Sequence, residues 1–230
     1  NEMETHPTAQ TMVQIGKAYS ELGKPDSAFI SFEKAIHLNR VFAPAYMRLS
    51  HLKKDAGDIN EAITYAKKGM EIDPDNIDYK YFMGSLLLLN GEPKLSIPLF
   101  NEVVNDKPWH YWAHHNLGQA LFRAGNKTQS EYYITKAKDL QKGIQEVENW
   151  RNLANMNPDQ FMLWINLGNS LNTMGIISEA RDAFLVGLSI KPMNVAVQNN
   201  IANLSLMLGD TVGAIIRYQT ILSLDSTIID

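Results

Sequence analysis

The sequence predicts an all-α fold, a solenoid in which helical hairpins stack one on the next. Two observations carry this. Gly23, Gly57, Gly91 and Gly125 stand 34 residues apart, Gly175 follows after 50, and Gly209 after another 34. Glycine is about 7% of an average sequence, so five further hits in phase would arise by chance roughly once in a million. A helix that ends in the left-handed conformation needs glycine there, because any Cβ clashes. The second observation is a set of small residues in the same frame. Gly16, Ser50, Gly84, Gly118, Gly168 and Ala202 hold one place, and Ala28, Ala62, Ser96, Ser130, Ala180 and Ala214 another. Small residues on facing helices let the two approach closely.

One unit spans Gly84 to Pro108, GSLLLLNGEPKLSIPLFNEVVNDKP. Gly91 ends its first helix, Pro93 opens the second, and Pro108 closes it. Phe32, Phe100, Phe184 and Tyr218 supply the bulky contact on second helices, with Ala66 and Ile134 as smaller exceptions. In chain order, residues 1–7 are polar and expected to fray, and Pro7 can open the first helix. Met12, Ile15, Gly16 and Tyr19 follow at amphipathic spacing. The second helix runs from Pro25 to about Leu38. Asp58 with Glu61, and Asn126 with Gln129, have capping-box spacing; Asp210 is a further cap.

Sixteen extra residues follow the fourth unit, within KGIQEVENWRNLANMNPDQF. An extra antiparallel helix would reverse every later hairpin, whereas a continuation keeps the alternation. Apolar spacing continues through Tyr133, Ala137, Leu140, Ile144, Val147 and Ala154. Glycine inside a helix costs only about 1 kcal/mol relative to alanine. One helix over about 128–156 is therefore expected, on the order of 43 Å long, with Gly143 as a place to kink. The chain ends on ILSLDSTIID, where Leu222, Leu224, Ile228 and Ile229 lack a polar capping helix. Self-association or partner contact there, and simple truncation, are equal readings.

The pattern resembles the tetratricopeptide repeat (TPR), best in Trp164, Leu167, Gly168, Leu171, Ala180, Phe184 and Pro192. The resemblance implies a right-handed superhelical solenoid. Its lobes would be 1–142, with repeats 9–42, 43–76, 77–110 and 111–142, and 161–230, with repeats 161–194 and 195–228. Residues 143–160 are then an inserted extension of the preceding helix.

The resemblance also implies that first helices line a concave groove binding a peptide or a protein subunit. The inward places include Lys17, His51, Tyr81, Ser85, Leu88, Trp112, His115, Gln119, Phe122, Arg123, Asn169, Asn199 and Asn203. Asn116, Asn166 and Asn200 recur just before Leu117, Leu167 and Ile201. They resemble the asparagine ladder of O-linked N-acetylglucosamine transferases, which holds a peptide backbone. The lysine–asparagine carboxylate clamp of chaperone-binding repeats is not matched; Val13 with Lys17, Met47 with His51, and Tyr81 with Ser85 stand there.

Composition narrows the chemistry. Net charge is −4 with both signs interspersed, which argues against nucleic acid, since that needs a basic stripe. No apolar run has the length of a membrane span. There is no cysteine, so disulfides and thiolate metal sites are out; cytoplasm and periplasm fit equally. His110 and His114, four apart in PWHYWAHHN, have zinc-ligand spacing. No HExxH or carboxylate at ligand spacing accompanies them, and His114 holds the packing place of Trp164, so no metal is assigned. No nucleophile elbow, phosphate loop or dinucleotide fingerprint occurs. Neither catalysis nor a cofactor is expected. The function expected is a non-catalytic scaffold binding protein or extended peptide. The alternative is an accessory or regulatory segment of a larger enzyme or electron-transfer complex.

Overall fold

The structure, a computed structural model, describes residues 7–226, with side chains over 7–223. Among these residues the chain forms helices and no strand. In order they are α1 (Ala9–Glu21), α2 (Pro25–Leu38), α3 (Ala43–Asp55), α4 (Ile59–Ile72), α5 (Ile77–Leu89) and α6 (Pro93–Asp106). Then come α7 (Tyr111–Arg123), α8 (Lys127–Met156), α9 (Phe161–Thr173), α10 (Ile177–Ile190), α11 (Val195–Met207) and α12 (Thr211–Ser226). Contacts group the chain into two compact units, Asn1–Thr135 and Lys136–Asp230. In the first, each helix from α1 to α7 packs on the next, and first helices also touch across repeats, α1 on α3 and α5 on α7. In the second, α9 to α12 pack in the same serial way.

The hairpin turn is one device used six times. Gly23, Gly57, Gly91, Gly125, Gly175 and Gly209 all have positive φ, from 66° to 91°. After each, a backbone N–H reaches back to a carbonyl five residues earlier. Examples are Glu92 N to Leu87 O (2.8 Å) and Ile176 N to Leu171 O (2.9 Å). These bonds satisfy carbonyls that a helix end leaves open. A Cβ at Gly91 would meet nothing within 4 Å, so the requirement is conformational rather than spatial. Gly91→Val should therefore cost about 1–3 kcal/mol, read as a lower urea midpoint; an unchanged midpoint would contradict this account of the turn.

Close approach explains the small residues. A Cβ on Gly84 would lie 2.9 Å from the Phe100 ring, and one on Gly168 2.8 Å from Phe184. Phe32, Phe100 and Phe184 are fully buried, each against the glycine of its own hairpin. Gly118 meets Ile134 instead, at 2.7 Å. In the second repeat the small place holds Ser50, whose hydroxyl donates to Ala62 O (2.5 Å). The resulting cores run in series: around Phe32 and Leu49, around Met47 and Leu86, around Phe100 and Leu117, and in the second unit around Phe184 and Ile201.

A second repeated device has no single residue type. Four first helices carry, near their start, a donor that bonds the carbonyl six residues back. Tyr46 Oη donates to Arg40 O (3.1 Å), Trp164 Nε1 to Pro158 O (2.9 Å) and Gln198 Nε2 to Pro192 O (3.2 Å). His114 Nε2 bonds Pro108 O at 2.9 Å. Each ties the incoming loop to the helix that follows it.

Several local expectations need correction. Pro7 lies outside the first helix, whose cap is Thr8, accepting from Thr11 N. Asp58 does not form a capping box, for its side chain caps nothing. Lys53 draws off both carboxylates instead, at 3.8 Å to Asp58 and 2.7 Å to Glu61. Asn126 does cap, accepting from Gln129 N (3.3 Å), and Asp210 accepts from Gly213 N (2.9 Å). α8 runs without interruption through Gly143. Met174 explains a glycine there, because its Sδ would lie 3.1 Å from a Cβ at that position. At the C-terminal end Leu222 is exposed; the Leu224 side chain, Ile228 and Ile229 lie outside the described residues.

Candidate functional site

In the first unit, α5 and α7 lie side by side and present the residues singled out from the sequence. Trp112, His115, Asn116, Gln119, Phe122 and Arg123 fall at three-and-four spacing, on one stripe of α7. Trp112 and Phe122 are 57% and 61% exposed. Rings of this size are usually buried, so two on one helix are informative.

Polar groups on the stripe are held by neighbours. Asn116 Nδ2 donates to Tyr81 Oη (3.3 Å) and Ser85 Oγ (3.5 Å) on α5. Burial pushes the Tyr81 phenol above its ordinary pKa, so it stays a neutral hydroxyl, while bonds from Ser85 and Asn116 oppose that shift. Gln119 Nε2 lies 2.8 Å from His115 Nε2. Arg123 Nη1 donates to Leu88 O (3.0 Å) near the end of α5, where a cation suits the helix dipole. Tyr111 and Trp112 meet edge to face, ring centroids 4.7 Å apart, and His115 stands about equally far from both. Gln119, Phe122 and Arg123 also border a pocket of about 340 Å³ with Ser130 and Ile134.

One inward place turns out otherwise. The Leu88 side chain is buried in the core with Phe100 and Leu117, because it lies on the face of α5 turned to α6 and α7. Asn116 spends its N–H donors on α5, leaving its carbonyl oxygen as the group to offer. In the second unit, Asn166 and Asn200 are half-buried and Asn169 exposed. None of these three side chains makes a hydrogen bond among the described residues. Asn203 Oδ1 accepts from Tyr218 Oη (2.5 Å).

His110 and His114 do structural work. His110 Nδ1 accepts from Ala113 N (3.1 Å) and so caps α7, and His114 binds Pro108 O. Among the described residues no group of three or more His, Cys, Asp or Glu could hold a metal.

Sequence reasoning placed His51 on the inward face without foreseeing its environment. Its ring stacks on Phe82, centroids 3.8 Å apart. Burial first, then the charges of Lys54 and Arg48, lower its pKa to about 4. It borders a pocket of about 400 Å³ with Lys17, Arg48 and Asp55. The folded pKa lies below the unfolded value, so the neutral ring's support is complete above about pH 6.5 and declines as pH falls toward about 4. His51→Gln should narrow the gap between urea midpoints at about pH 7 and about pH 5; an unchanged gap would exclude His51 as a source of acid lability.

The comparisons with known proteins bear on the fold. The tetratricopeptide-repeat family model matches residues 9–42 and 43–76. Human protein O-mannosyl-transferase TMTC1 is 21% identical over 218 residues, 84% of this chain and 24% of that protein. The small glutamine-rich tetratricopeptide repeat-containing protein 2 of Mycosarcoma maydis is 37% identical over 59 residues, 26% of this chain and 17% of that protein. The chain thus spans a quarter or less of the curated relatives it matches. Among solved structures, PilF of Pseudomonas aeruginosa superposes with a TM-score of 0.52 at 16% identity, covering 91% of this chain and 88% of that one. The APC/C hetero-tetramer Cut9–Hcn1 gives 0.53 at 20% identity, over 96% of this chain and 41% of that one. Among the described residues no helix is long and apolar enough to cross a membrane. Two repeats thus match the tetratricopeptide-repeat model, the other four have the same glycine-ended hairpin, and the fold is a helical solenoid of such repeats.

Proposed function

We propose that the chain is a non-catalytic scaffold that holds an extended segment of another protein against α5 and α7. The carrying observation is the α7 stripe, with exposed Trp112 and Phe122 among amide and basic groups fixed from α5. Aromatic rings give large contact area at low entropic cost, and amides both donate and accept. On this reading Trp112 and Phe122 are the anchors, and Tyr81, His115, Gln119 and Arg123 set the polar surroundings. Asn116 offers its carbonyl oxygen to a peptide N–H. In the second unit Asn166, Asn169 and Asn200 have amides free to grip backbone, and Asn203 does so if Tyr218 releases it.

A pulldown tests this reading. The wild-type chain should recover extended segments, and Asn166→Ala with Asn200→Ala should weaken binding about thirty-fold, at about 1 kcal/mol for the hydrogen bond lost at each asparagine. Recovery indifferent to both asparagines would remove the ladder from the proposal.

A second reading has one observation behind it, the alignment along 218 residues of an O-mannosyl-transferase. In that case the chain is an accessory segment of a larger enzyme or complex. It would then co-purify with one large partner and be insensitive to the asparagine changes.

A further inference from the structure

The second unit holds two successive grooves between second helices, and they differ in charge. In the groove between α8 and α10, Arg151 Nη2 pairs with Glu179 Oε2 at 2.6 Å. In the next groove, between α10 and α12, a pocket of about 390 Å³ contains Arg181 and Arg217. The residue 34 places after Glu179 is Gly213, which lines this pocket and brings no carboxylate. Arg181 accordingly makes no ion pair among the described residues, and its Nε is buried without a hydrogen-bond partner. Leaving such a donor unmet is costly, so its position calls for an explanation.

The remaining groups suit an incoming oxyanion. Arg217 Nη1 donates to Gln198 Oε1 (2.8 Å). Gln198 is itself buried and anchored to Pro192 O, so that guanidinium is held in place by a neutral partner. The hydroxyls of Ser205 and Thr220 line the same pocket. Asp210 also lines it, but its Oδ1 is engaged by Gly213 N at the start of α12. Two guanidiniums against one carboxylate leave a positive excess.

We propose that this pocket receives a carboxylate side chain from an acidic segment of a partner protein, supplying in trans what Glu179 supplies in the preceding groove. Arginine forks match carboxylate geometry, and charge-assisted bonds are the stronger kind. This site does not rest on the α5 and α7 reading.

The test uses the full chain and a capped tetraglutamate peptide, with capped tetraglutamine and sodium phosphate as parallel arms at constant ionic strength. Arginine side-chain Nε–Hε resonances report the site. The expected result is saturable shifts at Arg181 and Arg217, with tetraglutamate bound about ten-fold or more tighter than tetraglutamine. Arg181→Gln should abolish that preference while keeping the helical circular dichroism spectrum. Ile216→Glu, at an exposed position lining the pocket, places a carboxylate there in cis and should compete, weakening the peptide by a similar factor. Saturation by phosphate but not by tetraglutamate would overturn the carboxylate assignment. No saturable shift in the wild type, or equal affinity in folded Ile216→Glu, would overturn the site.

Discussion

Phe100→Ala is expected to destabilise the first unit by about 3–5 kcal/mol, the usual cost of emptying a fully buried aromatic position. Its ring is completely buried and lies against Gly84, so the residue that would have to fill the void has no side chain. The thermal midpoint should fall by roughly 10 °C or more for a unit of this size. The pairing gives a sharper check than the loss alone. Gly84→Ala places a Cβ 2.9 Å from the ring and should destabilise the wild type. In the Phe100→Ala background the same methyl enters the vacated space, so its cost should shrink or reverse. Residues in contact couple in this way, and distant ones add. Strict additivity would mean that glycine and ring do not set each other's size.

Removing the two exposed rings of α7 should be equally decisive for binding. Trp112→Ala and Phe122→Ala together are expected to weaken a bound segment by at least about 2 kcal/mol, some thirty-fold, as for aromatic hot spots elsewhere. Stability should change little, because both side chains already face solvent over more than half their surface. That contrast separates a binding role from a structural one. Calorimetric titration reads the affinity, and a urea midpoint reads the fold. A large fall in the midpoint with unchanged affinity would assign the rings to packing.

The hairpins were legible because their requirements fall on single residue types. A left-handed turn admits glycine, and a close helix crossing admits only small residues, so Gly91 and Gly84 announce themselves by spacing. The ties to the carbonyl six residues back were not legible. Tyr46, His114, Trp164 and Gln198 share no residue class, only a donor at the right reach. Asp58 misled because its spacing to Glu61 is right, yet Lys53 from the preceding helix competes for both carboxylates. The site shows the same division. Periodicity along α7 located its stripe, whereas the bond from Asn116 to Tyr81 spans 35 residues and no local pattern encodes it. The unpaired Arg181 emerges only when successive grooves are compared, since its meaning lies in a carboxylate that Gly213 does not provide.

The most direct measurement takes peptides selected from a random library on the wild-type chain and records backbone amide shifts of the protein as the tightest one is added. The account predicts saturable shifts concentrated on α5 and α7, around Tyr81, Trp112, Asn116 and Phe122, and their disappearance in the Trp112→Ala, Phe122→Ala variant. Tight binding with shifts confined to other helices, and unaltered in that variant, would contradict it.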